Sequence, residues 1–173
     1  MTLRAGRLPS LRNARLFRIV QQSLSLSSRA DFRVLEFSVQ RDHVHLIVEA
    51  EGTSSLRSGI QGLAIRIARS LNRALRRVGR VWSDRYHVRM LRTPREVRHA
   101  LVYALANWRK HLPAVRGIDP CSSARWFAGW RNRGWTADGT CPVARPRTWL
   151  AGVGWRRLGL IDVDEAPRPA RRR

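Results

Sequence analysis

The chain has 173 residues, of which 43% are hydrophobic and 27% are charged. This composition is typical of one globular domain with a core, with room for an appended segment. Its 34 Lys and Arg residues against 12 Asp and Glu residues leave a net charge of +22. A small domain with such an excess is expected to bind a polyanion, and nucleic acid is the first candidate.

The sequence also excludes several classes of protein. No stretch approaches the roughly 18 apolar residues of a transmembrane helix, and the arginine-containing N-terminus lacks the apolar segment of a secretory signal. Cys121 and Cys141 stand alone, without the CxxC pairs of a zinc finger. We therefore expect a reduced, cytoplasmic protein that is associated with the nucleoid and has no membrane partner.

The first part of the chain alternates between short strands and a helix. Thr2–Arg4 has strand potential, apolar residues at the helical period predict a helix over residues 11–28, and strict alternation predicts a strand over 32–40. The alternation places three side chains on one face of that strand: Leu35, Phe37 and Val39. A second alternating run, His43–Ala50, follows a short polar turn. The two strands are therefore predicted to pair as a hairpin.

A long basic helix, a strand and another helix are predicted next. Apolar residues at helical spacing run from residue 54 to about residue 78, and the alternating residues 86–91 predict a fourth strand. Thr93 and Glu96 have the spacing of a capping box, with Pro94 as the first helical residue. The helix that begins there is predicted to reach about residue 110.

This order of elements, β-α-β-β-α-β followed by one more helix, is the ferredoxin-like plan: an α+β fold whose antiparallel sheet carries two helices on one face. The first strand is short even for an edge, which suggests that it is truncated at the start of this sequence. We predict that residues 1–112 form this domain. Residues 113–165 hold five of the seven Trp residues and are predicted to form a basic extension packed by them, and the Pro/Arg-rich residues 166–173 are predicted to be disordered.

His43 and His45 project from one face of their predicted strand, about 6.6 Å apart along it. Two imidazoles in this arrangement can chelate one divalent metal ion, or bind an anion when protonated. The alternative is a pair of ordinary surface histidines, because His-x-His is a short pattern.

Tyr103 and Asn107 share a face of the last predicted helix at i and i+4, away from its apolar stripe. That stripe carries Val97, Leu101, Leu105 and Trp108. A core tyrosine would not be placed on this face, although an ordinary surface tyrosine would. Tyr86, the only other tyrosine, lies in the fourth predicted strand and is expected to pack.

Cleavage of a phosphodiester by a protein nucleophile needs a hydroxyl that attacks in line, neutralisation of charge on the phosphoryl oxygens, and a group that holds the leaving 3′ oxygen. Tyr103 can supply the hydroxyl. A divalent metal ion, Mg²⁺ or Mn²⁺, on His43 and His45 can supply the rest, with Asn107 as a neutral oxygen ligand. These residues together, on this order of elements and in a chain of charge +22, predict metal-dependent cleavage of DNA.

Three segments, DHVHLIVEA, VWSDRYHVRML and TPREVRHALVYALANWRKH, resemble the single-tyrosine HUH transposases of the IS200-like group, and most of all the REP-associated tyrosine transposases. The resemblance covers residues 2–112. It implies that His43 and His45 are the HUH motif, that Tyr103 is the nucleophile and that Asn107 completes the metal site. It also implies cleavage of single-stranded DNA at hairpins, a 5′-phosphotyrosine intermediate with a free 3′-OH, and strand transfer.

Arginines on the long helix and after it are predicted to contact the DNA backbone. They are Arg57, Arg66, Arg69, Arg73, Arg76, Arg85, Arg89 and Arg92. The alternative function is a non-catalytic DNA- or RNA-binding module of the same fold, such as a domesticated or truncated transposase. RRM domains share the plan, but the aromatic residues with which their sheets stack on bases are missing here. The sequence leaves monomer and homodimer both open.

Overall fold

The computed structural model describes residues 1–106, 108, 117–132 and 139–167. Its strands are β1 (Thr2–Arg4), β2 (Phe32–Val39) and β3 (His43–Ala50), and they form one antiparallel sheet in the order β1–β3–β2. Its helices are α1 (Ala14–Ser25), α2 (Thr53–Ala74), α3 (Pro94–Ala106) and α4 (Trp149–Gly152), with 3-10 helices at Ala124–Trp126 and Gly154–Leu158. The predicted α+β class, with an antiparallel sheet and a β2–β3 hairpin, is confirmed.

The sheet separates two hydrophobic cores. On one face α1 and α2 pack over strand residues that include Phe37, Val44 and Leu46, all of them buried. On the other face α3 and the C-terminal segments pack over Leu35 and Ile47. The two helices on the first face follow the predicted plan. The second core is what fixes α3 on the face from which His43 and His45 project.

A bulge in β2 changes which side chains share a face. A register shift between Val34 and Glu36 leaves Leu35 as an extra residue opposite β3. Because side chains alternate with a period of two, one extra residue reverses the faces of all residues after it. Leu35 therefore lies in the α3 core, whereas Phe37 and Val39 lie in the α1/α2 core. The predicted placement of these three residues on one face is wrong.

Residues 86–91 do not form the predicted fourth strand. The segment meets the outer edge of β1 at one bridge, where the Thr2 amide donates to the His87 carbonyl oxygen (2.9 Å) and the His87 amide donates to that of Thr2 (3.1 Å). His87 is the only residue of this segment that pairs with a described strand, so no ladder forms here. Tyr86 is 38% exposed, so the expectation that it packs is also wrong.

The start of α3 follows the predicted capping box. The Glu96 amide donates to Thr93 Oγ1 and the Thr93 amide donates to a carboxylate oxygen of Glu96, both at 3.2 Å. Val97, Leu101 and Leu105, on the predicted apolar stripe, are all buried. This reciprocal cap and the buried stripe together set the direction and the rotation of α3. Residues 107 and 109–110 of the predicted helix lie outside the described residues.

The C-terminal region covers the outer edge of β2. The Val39 amide donates to the Cys121 carbonyl oxygen (2.8 Å), and the Ser123 amide donates to the Phe37 carbonyl oxygen (2.9 Å). These bonds satisfy backbone groups that an open sheet edge would expose. No described helix is long and apolar enough to cross a membrane.

The tryptophans of this region divide between core and surface. Trp130 and Trp155 are buried beneath α3, as expected for residues that pack a core. Trp149 is 52% exposed, and Trp135 lies outside the described residues. The predicted boundary at residue 112 and residues 168–173 of the predicted tail lie outside them too, so the division into domains stays a prediction.

Candidate active site

The two histidines lie side by side on the central strand of the sheet. In the register of β3, His45 is directly opposite Thr2 of β1 and Ser38 of β2. The ring centroids of His43 and His45 are 4.6 Å apart, with the ring planes at 76°. His45 is buried and His43 is partly buried. The central position and the strand alternation thus bring both imidazoles together, as the sequence predicted.

One ring nitrogen of each histidine has a polar partner. Nδ1 of His43 lies 2.7 Å from Oδ1 of Asp42, and Nδ1 of His45 lies 3.0 Å from the hydroxyl oxygen of Thr2. The hydrogen bond with His43 lowers the pKa of the Asp42 carboxyl. Such partners orient an imidazole and fix which of its nitrogens carries the proton.

Tyr103 lies beside this pair. Its ring centroid is 5.0 Å from that of His45, with the planes at 74°. The tyrosine is 38% exposed, because the neighbouring Val102 and Leu101 face the second core instead. A partly exposed phenol next to two imidazoles is accessible to a substrate from solvent. Asn107, four residues later in the sequence, lies outside the described residues.

The family model for IS200-like transposases matches residues 7–99. This range is more than half of the chain, and it includes both histidines of the pair. The chain belongs to the IS200-like transposase family. Members of this family transpose DNA by cleaving it, so the chain is of the DNA-cleaving transposase class and DNA is its substrate. No curated protein and no solved structure matches the chain.

The family match ends four residues before Tyr103. The matched range therefore includes His43 and His45 but not Tyr103, the residue predicted to attack the DNA. The assignment of Tyr103 depends on its contact with His45. The closer relationship to REP-associated tyrosine transposases stays a prediction.

The donor atoms of the site suit the divalent metal ion on which IS200-like transposases generally depend. Two neutral imidazoles that coordinate through Nε2 are common ligands of such ions. Within the described ranges, no group of three or more His, Cys, Asp and Glu residues could hold an ion. Asn107 is the predicted further ligand, as an amide oxygen beside His43 and His45.

A wide groove opens beside His45 and Tyr103. It has a volume of about 2370 Å³ and runs between α3, β3 and the segment after α2. His45, Tyr103, His99 and Arg89 line it. A groove of this size, open to solvent, can admit an extended nucleic acid strand along the transposase surface.

The predicted DNA-binding arginines of the transposase are all exposed, but they divide between two surfaces. Arg85, Arg89 and Arg92 lie in the segment before α3, and Arg89 forms an ion pair with Glu96 (3.0 Å). The other five lie on or just after α2, in the helical layer on the opposite face of the sheet from Tyr103. They are Arg57, Arg66, Arg69, Arg73 and Arg76. DNA contacting both sets has to pass around an edge of the sheet.

Sequence reasoning missed Asp42 and Thr2. Asp42 directly precedes His43, so an acidic residue at the start of the motif was a signal that the sequence contained. Thr2 gave no such signal, because its hydroxyl reaches His45 only through the register of β1 on β3.

Proposed function

We propose that this chain cleaves single-stranded DNA with Tyr103 as the nucleophile and transfers the cut strand through a covalent 5′-phosphotyrosine. The observation that supports this assignment is the 5.0 Å contact between the rings of Tyr103 and His45, beside a second imidazole. The sites of cleavage under this proposal are hairpins of the REP-like, imperfectly palindromic kind. The place of action is the cytoplasm, on nucleoid DNA.

In this reaction the phenolic oxygen of Tyr103 attacks the phosphorus in line and loses its proton. The bond from phosphorus to the 3′ oxygen breaks, and that oxygen leaves as a 3′-OH. The phosphotyrosine keeps a phosphodiester linkage, so a second 3′-OH can later displace the tyrosine and complete strand transfer. His43 and His45, with Asn107, would hold Mg²⁺ or Mn²⁺, which supplies charge neutralisation at the phosphoryl oxygens and at the leaving oxygen.

The second candidate is a domesticated, non-catalytic DNA-binding module. It is favoured by the end of the family match at residue 99, before Tyr103. An RRM-like RNA-binding mode has less support, because the sheet face on which bases would stack is covered by α3 and the C-terminal segments.

A labelled library of single-stranded hairpins, incubated with the protein and Mn²⁺ or Mg²⁺, tests the proposal. We expect a protein–DNA adduct that resists SDS. Tyr103→Phe should abolish the adduct and leave hairpin binding within a few-fold, since only one hydroxyl is removed. Tyr86→Phe is the matched control, because Tyr86 and Tyr103 are both 38% exposed. If Tyr86→Phe abolishes the adduct and Tyr103→Phe does not, the assignment is wrong; if the wild type binds hairpins without an adduct, the non-catalytic module is the better description.

A further inference from the structure

An exposed tryptophan lies in the C-terminal part of the chain, outside the residues that the family model matches. Trp149 is the first residue of α4 and is 52% exposed. Its ring packs so closely against Gly154 that a Cβ atom placed on that glycine would lie 2.7 Å from a ring carbon. The guanidinium carbon of Arg157 lies over the ring, 5.1 Å from its centroid. The structure thus holds a large aromatic ring in place at the surface.

This tryptophan does not itself line the groove that contains the candidate active site, but it lies between two residues that do. Its neighbours Thr148 and Leu150, together with Leu158, line the same groove as His45 and Tyr103. Residues of the C-terminal region therefore form one wall of the groove that Tyr103 also lines.

Glu49 connects this wall to the strand that carries the histidines. One carboxylate oxygen of Glu49 accepts the amide of Thr148 (3.0 Å), and the other accepts the amide of Arg147 (2.9 Å). Glu49 lies on β3 and projects from the same face as His43 and His45. The position of α4 is therefore set relative to the proposed catalytic groups.

Within its own segment, the charged residues around the tryptophan are all basic. Residues 139–160 contain four arginines and no acidic residue. The arginines are Arg145, Arg147, Arg156 and Arg157, and all four are exposed. An exposed aromatic ring among arginines is the combination with which proteins bind single-stranded nucleic acid, because bases stack on the ring or on a guanidinium while the phosphates meet positive charge.

We propose that Trp149, with Arg157, forms a stacking platform for a base of the single strand that lies in the active-site groove. The inference rests on the proposed function for the presence of a single strand there. The proposed contact lies outside the residues that the family model matches. In it, the C-terminal region stacks on a base of any sequence, and the neighbouring arginines neutralise the phosphates of the strand.

Photochemical cross-linking in the full-length Tyr103→Phe protein tests the contact directly, without turnover. Single-stranded oligonucleotides carry one 5-iodo-deoxyuridine, moved along the strand in one-nucleotide steps. After irradiation, peptide mapping by mass spectrometry is expected to find Trp149 cross-linked from a narrow group of positions. The proposal would be overturned if every position of the strand cross-links to other residues of the protein and none cross-links to Trp149.

Affinity measurements provide the second test, in the same background. Trp149→Ala should weaken binding of the single strand about five- to hundredfold, as loss of one stacked base does, and Trp149→Phe should keep most of the affinity. Arg157→Ala and Arg125→Ala form a matched pair, because Arg125 also lies over a tryptophan, Trp126, at 5.5 Å. Trp126 lines a separate cavity next to α1, so only Arg157→Ala should weaken binding.

The outcomes separate this inference from the proposed function. If the wild type forms the Tyr103 adduct while Trp149→Ala binds the strand as tightly as its parent, the platform is wrong and the exposed ring serves another partner, such as a protein. If no adduct forms but Trp149 cross-links and its loss weakens binding, the platform is right and the catalytic proposal is wrong.

Discussion

The ring of Tyr103 meets the imidazole of His45 nearly edge-on, with centroids 5.0 Å apart and planes at 74°. The two residues come from elements 58 positions apart in sequence, and the core shared by α3 and β3 holds them at this spacing. His43 also lies next to His45, with its ring centroid 4.6 Å away. A change to either histidine should therefore affect a metal ion and the nucleophile together.

Replacing His43 or His45 by Ala should remove an imidazole ligand and suppress adduct formation strongly at any pH. Asn107→Ala should have a smaller effect, because water can replace a neutral oxygen ligand, and excess Mn²⁺ should partly restore its activity but not that of the double-histidine variant. The measurements are adduct yield across a Mn²⁺ titration and Mn²⁺ binding by electron paramagnetic resonance. Wild-type cleavage in Mg²⁺ by the double variant would contradict the site.

Three other histidines provide the control for that experiment. Ala variants at His87, His99 and His111 should bind Mn²⁺ as the wild type does. His99→Ala is the most stringent of these controls, because His99 lines the same groove as Tyr103. Loss of Mn²⁺ binding in His99→Ala would place the ion nearer the start of α3 than we propose.

The arginines of α2 should contribute to DNA affinity mainly through the phosphates. For a single strand, log K is expected to fall with log[salt] by about 0.7 for each phosphate contacted. The triple change Arg66→Ala, Arg69→Ala and Arg73→Ala should reduce that slope by about 2. Arg29→Ala is the control, since its guanidinium is already bound to Asp31 (2.6 Å). A nearly flat salt dependence of the wild type would exclude backbone binding as the reason for the charge.

The buried ion pair between Arg12 and Asp119 should be important for stability. Arg12 donates two hydrogen bonds to the Asp119 carboxylate, at 2.7 and 3.0 Å, and the Asp119 side chain has no exposed surface. The hydrogen bond to Asp119 raises the pKa of Arg12. Arg12→Ala would leave a buried carboxylate without its cation, at a cost of about 3–5 kcal/mol in the free energy of unfolding.

Urea denaturation of Arg12→Ala checks this prediction, and Arg29→Ala, which breaks the Arg29–Asp31 ion pair, is the control. That pair is exposed on both sides, so Arg29→Ala should cost much less than Arg12→Ala, because solvent screens an exposed ion pair. Equal, small losses in both variants would mean that Asp119 does not depend on Arg12 for its stabilisation.

Glu36 should make the free energy of unfolding decrease as pH rises, the opposite of the usual effect of a carboxyl group. Burial of its carboxyl, which accepts a hydrogen bond from Ser123, raises its pKa to about 8. Between the unfolded value of about 4.3 and this folded value, the folded state holds one more proton than the unfolded state. The free energy of unfolding should therefore fall as pH rises through that window, by at most about 1.4 kcal/mol per pH unit from this group. Urea midpoints at pH 5 to 8 should show the fall in the wild type and a flatter profile in Glu36→Gln; identical profiles would contradict it.

Local patterns in the sequence determined much of the candidate site. Alternation in His43–Ala50 put both imidazoles on one strand face, and the capping box at Thr93 and Glu96 began α3 where the structure has it. The helical period of α3 placed Tyr103 away from the buried stripe. Each of these features depends on residues at most a few positions apart, and backbone geometry within one element relates such residues. The metal role of Asn107 and the nucleophilic role of Tyr103 stay predictions.

The tertiary structure alone decided the features that depend on distant partners. The bulge at Leu35 follows from the pairing of β2 with β3, and residues 86–91 do not form a strand because only His87 among them pairs with β1. Thr2 reaches His45 through strand register, and Tyr103 reaches it through the core beneath α3. Trp149 is exposed while Trp155, six residues later, is buried. Strand pairing, burial and ring contacts depend on which distant residues pack against a residue. The hydrophobic period of its own segment carries no information about those partners.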